Sequence, residues 1–126
     1  MQKLIIPETA KTPEINLDPD KGLLEISGYS ISKFTKEFYG PVLKWLDEYS
    51  KKPHKETLLR LKFYYYNTGT AIYIMDILRK VEALYKKGFK VKVEWQYEKE
   101  DEDSMEYGED FRDILSLPFE IVEVEE

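Results

Sequence analysis

The chain has no cysteine and contains a single histidine, His54, among its 126 residues. The absence of cysteine excludes disulfide bonds, thiol nucleophiles and thiolate metal ligands, and it fits a cytoplasmic location. One histidine cannot build a histidine-rich metal site, and its place beside Pro53 indicates an exposed loop residue. We therefore expect no bound metal and no cofactor.

Long apolar runs are also absent. No segment approaches the ~20 residues that a membrane-spanning helix requires. The N-terminal stretch MQKLIIPETAKTPE has no long apolar core with a small-residue cleavage site, so we expect neither a membrane partner nor a signal peptide. No glycine-rich phosphate loop and no GxSxG, HExxH or CxxC motif occurs, so the sequence carries no catalytic signature.

Basic residues are too few and too scattered for a nucleic-acid interface. The chain has 19 Lys and Arg against 25 Asp and Glu, a net charge of −6, which repels a phosphate backbone. We therefore expect no nucleic acid among its partners. The acidic stretch 98–110 lacks the spacing of a calcium-binding loop. It is interpreted as a solvated loop that leads into a helix N-terminus, where negative charge suits the helix dipole.

The residues that are present predict one globular domain over residues 1–126. Apolar residues make up 42% of the chain and aromatic residues 14%. Alternating patterns predict strands over 23–27, 59–66, 89–97 and 119–124, and helical spacing predicts helices over 32–49, from about 68 to 87, and up to about 115. Residues 1–22 are predicted to be short extended pieces. Strands that alternate with helices indicate an α/β fold of two layers, a mostly parallel sheet with helices mainly on one face.

The same patterns predict which aromatic side chains are buried. They place Phe34 on the apolar face of the first helix, Tyr65 on the buried face of its strand, and Tyr85 on the buried face of the second helix. The neighbouring tyrosines of the run 64–66 alternate between the two faces of the strand. We therefore assign them to packing and not to base stacking.

The run FYYYNTGTAIYIMDIL, residues 63–78, passes from strand alternation to helical spacing at the segment NTGT. Thr68 is predicted at or next to the N-cap of the second helix, where a hydroxyl can satisfy a free N–H group. If Ile74 points to the core, then Thr68, Ile72 and Met75 share one outward stripe, since they stand at i, i+4 and i+7. This stripe is a candidate docking surface.

Phosphate on Thr68 would fit this position. It adds about −1.5 to −2 charges at the positive end of a helix, where the N–H groups of Gly69 and Thr70 can cradle it. Gly69 has no side chain to crowd the group. A partner that packs on Ile72 and Met75 would then have to desolvate that charge.

Several separated segments together resemble the SiaC-type regulatory phosphoproteins of bacteria, and the resemblance covers nearly the whole chain. It implies a fold similar to that of the STAS (anti-sigma-factor antagonist) domains and a non-catalytic, partner-switching function. A cognate protein kinase would phosphorylate a threonine and a PP2C-type phosphatase would remove the phosphate. The unmodified form would bind and activate an effector, a diguanylate cyclase, and so act on cyclic di-GMP signalling and biofilm formation. The segments are IIPETAKTPEI, FYGPVLKWLDEY, YYYNTGTAIYIMDIL, the strand ending in WQY, and DEDSMEYGEDFRDILSLPFEI.

The resemblance also implies roles for single residues. The acceptor threonine of the family follows an asparagine, and that position here is Thr68 after Asn67. The family usually continues with further serine or threonine residues and a lysine, whereas this chain continues with GTAI. The implied partner-binding residues are Asn67, Gly69, Thr70, Ile72 and Met75.

Two other interpretations of the sequence remain open. The chain could be a structural or scaffolding subunit, in which case changes at Thr68 would leave partner binding unaltered. It could also be a small enzyme that uses the hydroxyls of Thr68 and Thr70, although the sequence offers no credible base beside them.

Overall fold

The computed structural model describes residues 1–125 and consists of one six-stranded sheet with three helices. The strands stand in chain order across the sheet, from β1 to β6. The strands β3 to β6 are parallel to one another, and β1 and β2 extend the sheet in antiparallel pairing. The elements are β1 (Leu4–Ile6), β2 (Glu14–Asp18), β3 (Leu23–Ser30), α1 (Thr35–Lys51), β4 (Glu56–Tyr66), α2 (Thr68–Lys86), β5 (Lys90–Glu98), α3 (Glu102–Ile114) and β6 (Phe119–Val124).

The order of the strands explains why the fold has two layers. Each helix connects one parallel strand to the next one along the sheet, and such connections are right-handed. Because all three connections step in the same direction, α1, α2 and α3 cover the same sheet face. The predicted two-layer α/β sandwich with a mostly parallel sheet is confirmed. The predicted lead-in of extended pieces forms β1 and β2.

The core lies between the sheet and the helices. In β4 and β5 every second residue is buried, while the residues between them are half-buried or exposed on the outer face. Trp95 of β5 is fully buried and donates a hydrogen bond from its indole nitrogen to the Ser104 carbonyl of α3, at 2.9 Å. Gly108 leaves room for that indole, since a Cβ atom there would lie 2.6 Å from Trp95 Cδ1. These contacts fix α3 on the sheet.

The prediction that Tyr65 faces the core is wrong, because β4 contains a bulge at its end. Gly28 of β3 pairs with Phe63, but the next residue, Tyr29, pairs with Tyr65, so β4 has one extra residue. An extra residue reverses the alternation of side chains beyond it. Tyr65 is consequently 61% exposed, and the half-buried Tyr66 packs against the core instead.

Two predictions for helix faces are also wrong. Phe34 precedes α1 as its N-cap residue and is 59% exposed, because the helix begins only at Thr35. The buried aromatic residue of the first turns is Tyr39, which is fully buried. Tyr85 is 40% exposed near the end of α2, where its neighbour Leu84 takes the buried position. Glu82, three residues earlier in α2, is buried and accepts hydrogen bonds from Arg79 and from the Ser116 amide.

Candidate functional site

The candidate site lies where β4 ends and α2 begins, at the carboxyl end of the parallel strands. Asn67 is the N-cap residue of α2 and has extended backbone angles. Its side-chain oxygen accepts a hydrogen bond from the Thr70 amide at 2.9 Å, and its side-chain nitrogen donates to the Ser32 carbonyl at 3.2 Å. Asn67 thus caps α2 and ties it to the loop before α1. Thr68 is next to this cap, as the first residue of the helix.

Thr70 differs from the other predicted site residues because it is fully buried. Its hydroxyl lies 2.8 Å from Asn67 Oδ1, 2.8 Å from Ser30 Oγ and 3.1 Å from the Ser30 carbonyl oxygen. The Ser30 hydroxyl in turn contacts the Tyr39 hydroxyl at 2.7 Å. Burial raises the pKa of Tyr39 to about 12, so this hydroxyl keeps its proton at physiological pH. A partner that docks on this conformation cannot touch Thr70, and we therefore correct its proposed role from contact to positioning.

Thr68 and Gly69 are exposed, in contrast to Thr70. The first N–H groups of a helix have no partner within the helix. Asn67 accepts hydrogen bonds from the N–H groups of Thr70 and Ala71, which leaves the N–H groups of Thr68 and Gly69 available. A Cβ atom on Gly69 would have only ordinary contacts, the nearest at 3.5 Å from Thr35 Oγ1. Because Thr68 itself is exposed, its side chain belongs to the surface and not to the core.

The predicted outward stripe on α2 is partly exposed. Ile72 is 67% exposed, the largest exposed fraction among the large apolar side chains of residues 1–125. Met75, one turn further along, is half-buried and packs against the core. Thr68 and Ile72 thus share an accessible face of the helix, and the half-buried Met75 lies at the edge of that face.

The single histidine of the chain lies far from Thr68. His54 precedes β4, whereas Thr68 follows it, so the eleven residues of the strand separate the two by roughly 35 Å. The His54 ring is held locally, with Nδ1 at 2.9 Å from the Glu56 carbonyl oxygen. Asp101 of the acidic stretch caps α3 by accepting from the Ser104 amide at 3.1 Å. Within residues 1–125 no group of three or more potential ligands could hold a metal ion.

The residues that sequence reasoning missed are Ser30 and Tyr39. They join Thr70 and Asn67 in one hydrogen-bonded network, although Ser30 precedes Thr70 by 40 residues. No local pattern marks a serine at the end of a strand as the partner of a threonine in a later helix. The loop before α1 was missed for a similar reason, since Asn67 contacts it only through the fold.

Taken with its relatives, this fold is that of a regulatory phosphoprotein. The chain belongs to the SiaC family: residues 6–124 match the model of the SiaC family regulatory phosphoprotein. A protein of Pseudomonas aeruginosa strain UCBPP-PA14 is 33% identical over 121 residues, which is 96% of each chain. No helix among residues 1–125 has the length and apolar character needed to cross a membrane.

Solved structures from the same organism agree over almost the whole chain. SiaC of Pseudomonas aeruginosa is 31% identical and superposes with a TM-score of 0.90, covering 98% of this chain and 100% of that one. The diguanylate cyclase SiaD in complex with its activator SiaC, also from Pseudomonas aeruginosa, gives a TM-score of 0.91 at 32% identity, covering 96% of this chain and 99% of the matched one.

Proposed function

We propose that this protein is a non-catalytic switch that is phosphorylated on Thr68. In this proposal the unmodified form binds and activates a diguanylate cyclase, by analogy with the activator SiaC in its complex with SiaD. A protein kinase adds the phosphate and a PP2C-type phosphatase removes it, so that the modification selects the partner and controls biofilm signalling. The surface that receives the cyclase includes the start of α2, with Gly69, Ile72 and Met75.

The observation that carries the proposal is the contrast between two threonines two residues apart. Thr70 is buried and hydrogen-bonded, whereas Thr68 is exposed at the first position of the same helix. A kinase can reach the hydroxyl of Thr68 without unfolding the site, but it cannot reach that of Thr70. The free N–H groups of Thr68 and Gly69 can then stabilise the phosphate together with the helix dipole.

The effect on binding follows from charge. A phosphate brings about −1.5 to −2 charges at pH 7 to within one turn of Ile72. A partner that covers Ile72 must exclude water from that neighbourhood, and removing water from a charged group costs several kcal/mol. Since each 1.4 kcal/mol changes affinity about tenfold, one modification suffices to release the partner.

The proposal is tested with three purified variants and the diguanylate cyclase that co-purifies with the wild type from its native cells. Thr68→Ala should bind and activate the cyclase, measured as cyclic di-GMP formed, whereas Thr68→Glu should lose at least tenfold in affinity. Gln2→Glu, an equal charge change beside Trp45 at the far side of α1, is the control and should behave as wild type. Mass spectrometry of the native protein should find phosphate on Thr68.

Identical behaviour of Thr68→Ala and Thr68→Glu would reject the switch and favour a scaffolding subunit. Turnover of a substrate by the protein alone, lost in Thr68→Ala, would favour an enzyme.

A further inference from the structure

Exposed apolar side chains gather beside the candidate site and are not confined to α2. Ile31 follows the end of β3 and is 39% exposed, and Phe34 is 59% exposed. These two residues, here called the β3–α1 patch, lie in the loop whose Ser32 carbonyl accepts the hydrogen bond from Asn67. The next residue, Thr35, lies against Gly69. The patch and the exposed face of α2 therefore flank the same contact between helix N-termini.

Phe34 breaks a local rule of helix design. N-cap positions favour serine, threonine, aspartate or asparagine, because their side chains bond a free N–H group. Phe34 occupies the N-cap of α1 with no such bond and leaves most of its ring in water. Departures of this kind concentrate at functional sites, where binding compensates the local cost. Aromatic residues, phenylalanine among them, are enriched in protein–protein interfaces, so an exposed ring at this position fits a surface that a partner covers.

The charge around the patch differs in sign from that of the chain. Lys11, whose carbonyl accepts from the Ile31 amide, is exposed, and so are Lys33 and Lys36. No ion pair within residues 1–125 engages any of the three. Within the two segments 8–11 and 31–37, Glu8 and Glu37 stand against the three lysines, so these segments carry +1 on a chain of net charge −6. The positive ends of α1 and α2 add to this local field.

We propose that the β3–α1 patch is the second half of the docking surface, and that it receives a partner segment whose apolar side chains are flanked by carboxylates. The inference rests on the proposed function for the identity of the partner protein, and on charge complementarity for its chemistry. It also explains how the switch acts at this edge. Phosphate on Thr68 adds negative charge at the N-terminus of α2, which meets the loop of the patch through the contacts of Gly69 with Thr35 and of Asn67 with Ser32. It therefore weakens the positive field that attracts the carboxylates and repels them directly.

Two designed amphipathic helices, each roughly 18 residues long, serve as probes. Both carry the same leucine face, and the polar face is glutamate in one and lysine in the other. The acidic chain as a whole would attract the lysine peptide, so a preference of at least tenfold for the glutamate peptide supports the proposal. Phe34→Ser and Ile31→Ser should each weaken binding of the glutamate peptide about tenfold. The control variants Tyr85→Ser and Ile5→Ser, at exposed apolar positions elsewhere, should bind it as the wild type does.

Reversing the sign of the patch gives the sharper test. Replacing Lys11, Lys33 and Lys36 by glutamate should abolish the preference for the glutamate peptide. The proposal is overturned if neither peptide binds, if both bind equally, or if the patch variants bind as wild type. It is also overturned if the wild type is a dimer that Phe34→Ser dissociates, since the occupant is then a second copy. If the patch variants lose binding of the glutamate peptide while Thr68→Glu binds it normally, the result supports the docking surface and rejects the phosphorylation switch.

Discussion

The stability of the protein should depend on the hydroxyl of Thr70 but not on that of Thr68. Thr70→Val keeps the shape of the side chain and removes the oxygen that contacts Ser30 and Asn67. Thr68→Val makes the same chemical change at an exposed position with no structural hydrogen bond. The pair of variants therefore distinguishes Thr70, which stabilises the structure of the site, from Thr68, which is exposed at its surface.

The magnitude follows from what Thr70→Val leaves behind. The hydroxyl can donate one hydrogen bond and accept another, and each contributes about 0.5–1.5 kcal/mol net. The other groups keep partners: the Ser30 carbonyl accepts from the Asn67 amide at 3.0 Å, and Ser30 Oγ retains Tyr39. Because no buried group is orphaned, we expect a loss of about 1–2 kcal/mol. Thr68→Val should change the free energy of unfolding by less than about 0.5 kcal/mol.

Urea unfolding of wild type, Thr70→Val, Thr70→Ser and Thr68→Val measures these differences. The midpoint for Thr70→Val should fall with an unchanged denaturant slope, and Thr70→Ser should recover most of the loss because it restores the hydroxyl. Amide hydrogen exchange should accelerate at the start of α2 in Thr70→Val alone. A Thr70→Val protein as stable as wild type, or an equal loss in Thr68→Val, would refute the assigned roles.

Two further predictions concern the helices around the site. Gly108→Ala should destabilise the protein by about 1–3 kcal/mol, because its Cβ would lie 2.6 Å from Trp95 Cδ1. Gly69→Ala, whose Cβ would have only ordinary contacts, is the control and should not destabilise it; equal effects in thermal unfolding would contradict this packing. The Ser116 amide and Arg79 hold the pKa of Glu82 below its ordinary value of 4.5. Glu82 therefore stabilises the fold above that value and ceases to do so as pH falls through its folded-state pKa, so Glu82→Gln should flatten the acid side of the stability profile. An unchanged profile would show that Glu82 does not contribute.

Local patterns in the sequence were sufficient for most of the elements. The alternation in β5 and the helical spacing in α2 each reflect one buried face, and such a face is visible in the order of residues alone. The same spacing predicted that Thr68 and Ile72 are accessible, since Ile72 lies opposite Ile74 on the helix and Thr68 stands one turn before Ile72. The exposed hydroxyl at the start of α2 was therefore predictable from the chain.

Other features depend on contacts between distant segments. The bulge that exchanges Tyr65 and Tyr66 exists only in the pairing of β4 with β3. The exposure of Phe34 depends on where α1 begins, which no polar cap residue marks. Neither feature has a signature within its own stretch of sequence.

The amino-acid sequence by itself determined the alternation of strands and helices and the outward position of Thr68, because both follow from the period of apolar residues along the chain. Only the tertiary structure decided that Thr70 is closed off while Thr68 is open, and that the loop carrying Phe34 stands next to α2. The physical reason is that Ser30, Tyr39 and Asn67 meet Thr70 only when β3, α1 and α2 are packed together.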